Sequence, residues 1–352
     1  MKADGGRAPV GPRGGRPVSF ACVAVAGWLA ACSAPPATTT LEPVRLAIGS
    51  YLTDAMSFIA HEQGIFAAHG LDVELVVLNR AGAALPALSG GEIDAASSGL
   101  LNPRVFNIIQ RGGNLRLVAA RTFYDAQGCA HEAFVVRARL LDSGRVTDAA
   151  SLRGLRVTTE RTGSNYYYFG RLLAQGGLTL DDVEMVDMPV PSRGDAFAKE
   201  MIDVATASEP WATRITRDPG VRIWKRVAEV LPDRHSSFLV FGERLLGPRR
   251  DLGRRFLAAY LEAARRLREE GKSPRNVEAI ARWTRLPPAE LRAMCWPAPP
   301  SDPRPDARTL EEYQTWALAN GLIDDISRYE TLVDLGFLDA LDAAPPSGGS
   351  GD

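Results

Sequence analysis

The spacing of apolar positions near the start of the folded region switches between two periods. Val44 to Gly49 is a short apolar run with a polar loop after it, which reads as a buried strand. Met56, Ile59, Ala60 and Phe66 then share one side of a helix. Gly70 ends that helix, as the residue type that best takes the left-handed position past a C-terminus. A second strand is expected from Leu71 through Leu78 and a short helix around Ala84, Leu85 and Leu88. A third strand follows Gly91-Glu92-Ile93-Asp94 and ends at Ser97-Ser98-Gly99.

The same order returns in the middle of the chain. Leu155 to Thr159 reads as a strand and Asn165 to Gln175 as a helix stopped by Gly176-Gly177. Asp182-Val183-Glu184 introduces a strand through Met188, and Ile202-Asp203-Val204 opens another that ends at Thr206. An ordered repeat of this kind predicts a duplicated unit. Alternating strands and helices build parallel sheets with right-handed crossovers, and ligands sit beyond the carboxyl ends of such strands. Two units facing each other therefore predict a two-lobed α/β fold around a shared cleft. Phe134 to Val136 and Phe238 to Phe241 bracket the second unit and read as the strands on which the chain passes between lobes. This places lobe 1 at 44–136 and 241–342 and lobe 2 at 137–240. Beyond Arg249 the pattern is helical, with Leu252, Phe256, Leu257, Tyr260, Leu261, Ala264 and Leu267 on one stripe. Residues 343–352 are rich in Pro, Gly and Ser and are expected to be disordered.

Composition adds a compartment. Lys2, Arg7, Arg13 and Arg16 against Asp4 make the first 32 residues net +3, leaving −4 for the rest of a chain whose formal charge is −1. That basic stretch leads into an apolar run from Val18 to Ala31, too short to span a bilayer and flanked as a signal peptide is. Leu29-Ala30-Ala31-Cys32 matches the lipobox of bacterial lipoproteins. The expectation is a signal peptide over 1–31, a lipidated Cys32, a flexible Ser/Ala/Pro/Thr linker over 32–43, and an extracytoplasmic domain anchored to the cell membrane. The mildly acidic body argues against nucleic acid as a partner, because phosphate binding needs clustered Lys and Arg. Cys129 and Cys295 remain after the leader; a disulfide between them and a pair of buried thiols are both compatible with export.

Candidate chemistry is that of recognition. Thr162, Ser164 and Asn165 precede a helix directly after a strand, where backbone N–H groups and small hydroxyls suit an anion or a carbonyl oxygen. Ser97 and Ser98 end another strand, Tyr51 and Asp54 occupy the first strand-to-helix loop, and Thr122 follows the strand Leu115 to Arg121. Tyr166 is expected to line the cleft while a neighbouring tyrosine packs in the core. Trp211 would supply a flat apolar wall, and Glu209 an acceptor for an N–H group or for a lobe-closing partner. His61, His69, His131 and His235 have no metal-ligand spacing, and no GxSxG elbow, P-loop or GxGxxG is present. No cofactor, no metal and no catalytic residue are expected, and the chain is expected to be a monomer and not an enzyme.

From about Val44 to Leu338 the chain resembles the substrate-binding proteins of ABC transporters of the nitrate, sulfonate and taurine group, which also includes binders of thiamine pyrimidine precursors. The resemblance rests on Ile59-Ala60 before Gln63-Gly64-Ile65-Phe66, on Gly70-Leu71-Asp72-Val73, and on Ala87 through Ala95. It continues in Ser151-Leu152-Arg153-Gly154-Leu155-Arg156-Val157 and Glu209-Pro210-Trp211. It implies the two-lobed periplasmic-binding-protein fold of the type II kind, cleft contacts near Ser97, Ser98, Ser164 and Asn165, and an ABC permease of the inner membrane as partner. It also implies a small organic ligand, with a sulfonate-, nitrate- or taurine-like anion favoured, a thiamine pyrimidine precursor or other small aromatic as the alternative, and a pyrimidine-precursor synthase-like enzyme as a remote one. Two departures stand out: Ala198-Lys199-Glu200-Met201 replaces the usual glycine before the second Ile-Asp, and Ser208 replaces a bulky residue before Glu209. A smaller residue there would enlarge the pocket.

Overall fold

The computed structural model describes residues 40–78, 82–97, 101–129, 131–161 and 163–343. The expected signal peptide, Cys32, the linker up to residue 39, Ser98, Thr162 and residues 344–352 lie outside the described residues. Among the described residues no helix is long and apolar enough to cross a membrane.

The chain forms two five-stranded sheets flanked by helices. The first contains β1 (Glu42–Ile48), β2 (Leu71–Val77), β3 (Ala95–Ala96), β4 (Arg116–Phe123) and, from much later in the chain, β10 (His235–Phe241). Its order is β2-β1-β3-β10-β4. The second holds β5 (Glu132–Arg137), β6 (Arg156–Thr159), β7 (Glu184–Asp187), β8 (Val204–Ser208) and β9 (Val221–Arg226), in the order β7-β6-β8-β5-β9. Position for position the two orders match. In each, a strand pairs in parallel with two neighbours, and an antiparallel strand follows on the far side.

The equivalence extends to side chains. In the first lobe the Arg45 N–H donates to Asp94 Oδ2 at 2.8 Å, and Asp94 N–H returns a bond to Arg45 O at 2.9 Å. In the second the Arg156 N–H donates to Asp203 Oδ2 at 3.1 Å, and Asp203 N–H to Arg156 O at 2.8 Å. Each aspartate thus clips the start of its lobe's central strand to the turn before the next one. The Ile-Asp pair recurs because an apolar residue must fill the core while its neighbour satisfies backbone donors that the sheet leaves over.

Strand membership differs from the sequence expectation at both lobe boundaries. All of β5 pairs within the second sheet, although 44–136 assigns most of it to the first lobe. Conversely β10 lies between β3 and β4 of the first sheet, although 137–240 assigns all of it but Phe241 to the second lobe. Apolar runs that cross between lobes and apolar runs buried in one sheet look alike in sequence, since both are enclosed on two faces. The chain crosses in the segments 124–131 and 227–234. These run side by side, with Tyr124 N–H donating to Arg234 O at 2.8 Å and Asp233 N–H to Tyr124 O at 2.9 Å. Residues 42 and 43, expected in the linker, are the first two positions of β1 and pair with Leu71 and Asp72.

Two further contacts tie the C-terminal region to the hinge and to the second lobe. Cys129, in the first crossing, is disulfide-bonded to Cys295 with 5.6 Å between their Cα atoms, which settles a pairing that the sequence left open. Closing a loop of 166 positions removes enough unfolded-chain entropy to stabilise the fold by about 5 kcal/mol on the chain-entropy model. The helix Ala307–Ala319 packs on Ser164–Gln175 of the second lobe, with Trp316 set against Gly170, where a Cβ would come within 2.7 Å of the indole nitrogen.

Candidate ligand-binding site

The cleft between the two sheets is lined from the first lobe by Tyr51, Thr53, Arg121, Ser236 and Ser237, and from the second by Glu132, Glu160, Gly163, Ser164, Asn165, Val190 and Ser208. It encloses about 60 Å³, room for several water molecules or one compact polar head group. A backbone bond from Leu52 N–H to Glu209 O at 3.2 Å joins the lobes next to the lining residues Tyr51 and Ser208, and a half-exposed ion pair between Arg217 and Glu290 at 2.6 Å links them as well.

Arg121 forms one wall. It is 1% exposed, and three partners, two of them buried, fix its guanidinium. Nη2 donates to Asp54 Oδ1 at 2.9 Å and to Thr53 O at 2.5 Å, and Nε donates to the Tyr260 hydroxyl at 2.7 Å. Among the described residues Nη1 has no hydrogen-bond partner. Asp54 is held in turn by the Gly49 N–H at 3.0 Å and the Ser97 hydroxyl at 2.5 Å. Burial pushes the Asp54 carboxyl up, while Arg121, Ser97 and the Gly49 N–H pull it back toward the ionised form. The network therefore holds a cation in a fixed direction with the two N–H groups of Nη1 to spare.

Hydroxyls supply the next layer. Thr122 Oγ1 lies 2.6 Å from Ser236 Oγ and 2.5 Å from Ser237 Oγ, so the cluster orients two cleft-lining hydroxyls. The helix Ser164–Gln175 brings its N-terminal turn to the opposite side, with Gly163 extended at its N-cap. The positive end of a 12-residue helix and its first amide groups favour an anion there.

The second lobe also carries acid. Glu132 opens β5; its Oε2 accepts from the Tyr124 hydroxyl, and burial pushes its carboxyl up to about 8. His131 next to it stacks on Tyr124 at 5.3 Å, and burial pulls the imidazole down to about 4, leaving it neutral. Glu160, 8% exposed, follows β6. Behind it Arg193 is fully buried, donating from Nη1 to Thr206 O at 2.5 Å and Thr206 Oγ1 at 2.9 Å, and from Nη2 to Met188 O at 2.9 Å. Burial pulls Arg193 down to about 10 against the opposing field of Glu160. Burial raises the Tyr51 hydroxyl, and Glu160 adds to that rise.

Of the residues singled out in the sequence, Tyr51, Ser164 and Asn165 line the cleft, as does Ser208, noted as a departure. Asp54, Ser97 and Thr122 stand one layer behind it, holding Arg121, Ser236 and Ser237 in place. Tyr166 does not line it: the ring packs edge-on against Trp316 at 5.8 Å, because the apolar side of its helix is claimed by Ala307–Ala319. Tyr168, of the same helix, donates to the backbone carbonyl of the cleft-lining Ser236 at 3.2 Å. The Glu209 side chain accepts from Thr213 N–H at 3.1 Å and Thr213 Oγ1 at 2.7 Å, the backbone of Cys295 and the charge of Lys272 from the C-terminal segment of the other lobe also act on its carboxyl, and its backbone carbonyl accepts from Leu52 N–H. Trp211 is half-buried beneath Arg214, whose guanidinium lies 4.9 Å from the ring centre, away from the cleft. Arg121, Glu132, Glu160, Arg193, Ser236 and Ser237 were not anticipated. The arginine ending the apolar run Leu117–Ala120 carried a usable signal, since a charge within a buried strand needs partners.

The NMT1-like family model matches residues 37–284, most of the chain. The chain belongs to the NMT1-like family. A Brucella abortus (strain 2308) protein with only a general binding-protein name is 25% identical over 226 residues, covering 63% of this chain. The match spans just under two thirds, 66%, of that relative's length. Among solved structures, the periplasmic aliphatic sulphonate binding protein SsuA of Escherichia coli superposes with a TM-score of 0.67 at 19% identity, over 83% of this chain and 97% of that one. The desulfurization enzyme DSZB superposes with a TM-score of 0.61 at 17% identity, over 86% and 99%. The two-lobed architecture of this NMT1-like chain is thus that of periplasmic binding proteins, and the same fold also houses an enzyme.

Proposed function

We propose that this NMT1-like chain is the solute-binding lipoprotein of an ABC importer, anchored outside the cell membrane through Cys32, and that its lobes close as a monomer on a small organic anion. The observation that carries the ligand class is Arg121, a buried guanidinium in the cleft lining whose Nη1 is left without a partner among the described residues after every other donor of that side chain is used. A sulfonate-, nitrate- or taurine-like oxyanion would accept from it, from the hydroxyls of Ser164, Ser236 and Ser237, and from the first amides of the helix behind Gly163. A ligand that touches both lobes favours the closed arrangement by its differential affinity for it, which an importer's permease can read. The likeness to a sulphonate-binding protein supports this reading, as does the pairing of Cys129 with Cys295, which leaves neither thiol free for covalent chemistry.

The test uses the compact unit from residue 40 onward. Its melting temperature should rise with increasing ethanesulfonate, taurine or nitrate, since a ligand bound to the folded state stabilises it by mass action. Arg121→Lys keeps a cation beside Asp54 but lacks the spare donor. Losing one hydrogen bond to a charged group costs about 1.5–3 kcal/mol, so affinity should fall about tenfold or more. Stabilisation by a pyrimidine with none by any anion would replace the oxyanion with the small aromatic. Metabolic labelling with palmitate should mark the full chain and not Cys32→Ser.

A further inference from the structure

An anion site with a carboxyl group in its wall needs an explanation. Glu132 and Arg121 line the same cleft, yet Arg121 is tied to Asp54 and no ion pair to Glu132 occurs among the described residues. The surroundings of Glu132 are aromatic and hydroxylic. The Tyr124 hydroxyl, from the first crossing, donates to Oε2, and neutral His131 stacks behind that ring. Tyr168 reaches in from the helix Ser164–Gln175, Tyr51 faces it from the first lobe, and Ser208 is its antiparallel partner on β8. Glu160 is the other acid of the cleft and Arg121 its lining cation.

We propose that Glu132 is a specificity residue that meets the bound oxyanion as a neutral carboxylic acid, donating its proton as a hydrogen bond while Arg121 donates from the other side. This rests on the anion reading and adds a proton to it: the site fills with one more proton when the solution is basic enough to ionise Glu132. An ionised Glu132 would repel the ligand, and a protonated one supplies a donor of the right polarity in a water-poor site. Burial, which keeps the group protonated up to about pH 8, fits that role.

The consequence is a signed pH dependence. A ligand that favours the protonated acid raises its pKa on binding, so affinity is flat below the free-site value and falls above it. The limit is tenfold in Kd for each pH unit, one proton being taken up per ligand. Isothermal titration of the unit from residue 40, with ethanesulfonate and with nitrate from pH 6 to 9.5, measures this. The wild type should lose affinity above about pH 8. At pH 8.5, titrations in two buffers of different ionisation enthalpy should report proton uptake. Glu132→Gln, a permanent neutral donor, should hold the acid-side affinity and lose the slope; the two-buffer titration needs no variant and stands if that one folds poorly. A flat wild-type profile with good binding overturns the proposal and leaves the anion reading intact. Affinity that rises with pH overturns it in favour of a cationic group seated on ionised Glu132. No binding of either anion at pH 6 removes the anion reading and this proposal with it.

Discussion

The two lobes share a framework and differ in what they do with a buried arginine. In the second lobe Arg193 donates to Met188 and Thr206, all within its own lobe, and stiffens the loop after β7. In the first, Arg121 lines the cleft, spends Nη2 and Nε on Asp54, Thr53 and Tyr260, and has no partner for Nη1 among the described residues. Meanwhile the clips at Asp94 and Asp203 are near copies. Duplication preserved what the backbone needs and released what the ligand needs. The first lobe offers a fixed positive charge, the second a helix terminus and acids.

The strongest way to break that comparison is to remove the charge. Arg121→Met strands Asp54 as an unpaired buried group, and breaking a buried pair this way costs about 3–5 kcal/mol. Urea unfolding should show that loss together with loss of anion binding, and Asp54→Asn in the same chain should restore part of the stability but none of the binding. The framework side is sharpened by Asp94→Ala and Asp203→Ala. Each leaves a strand N–H and an arginine without its acceptor, at about 2 kcal/mol. Matched losses in urea midpoints are expected, and a cost confined to one lobe would undo the equivalence. The smallest effect belongs to Ser164→Ala with Asn165→Ala. The helix keeps its backbone amides, so affinity should drop only several-fold, by about 1 kcal/mol, with the unliganded melting temperature nearly unchanged. Unaltered affinity would remove this loop from the site.

How much of this was visible beforehand follows from the range of each interaction. The strand–helix units of both lobes were legible because their periodicity is local, and Gly70 and Gly91 sit where positive φ is required. Ser164 and Asn165 were legible because a loop between a strand and a helix has a predictable place at a cleft. Arg121 was not, because its meaning depends on Asp54, 67 positions away, and Glu132 was not, because only its enclosure by Tyr124 and Tyr168 makes it unusual. Tyr166 was misplaced for a related reason: a helix far down the chain covers the face on which it stands. Lobe boundaries failed where β5 and β10 exchange sides, a choice made by pairing and not by composition.

The placement of β10 also sets an order of assembly. A chain ended after Arg226 already holds all five strands of the second sheet, in one unbroken stretch from Glu132. The first sheet at that point has four strands and a gap, because β4 joins the others only through the strand that starts at His235. The lobe that begins first is therefore the one finished last, its missing middle arriving only after the chain has travelled through its neighbour and back.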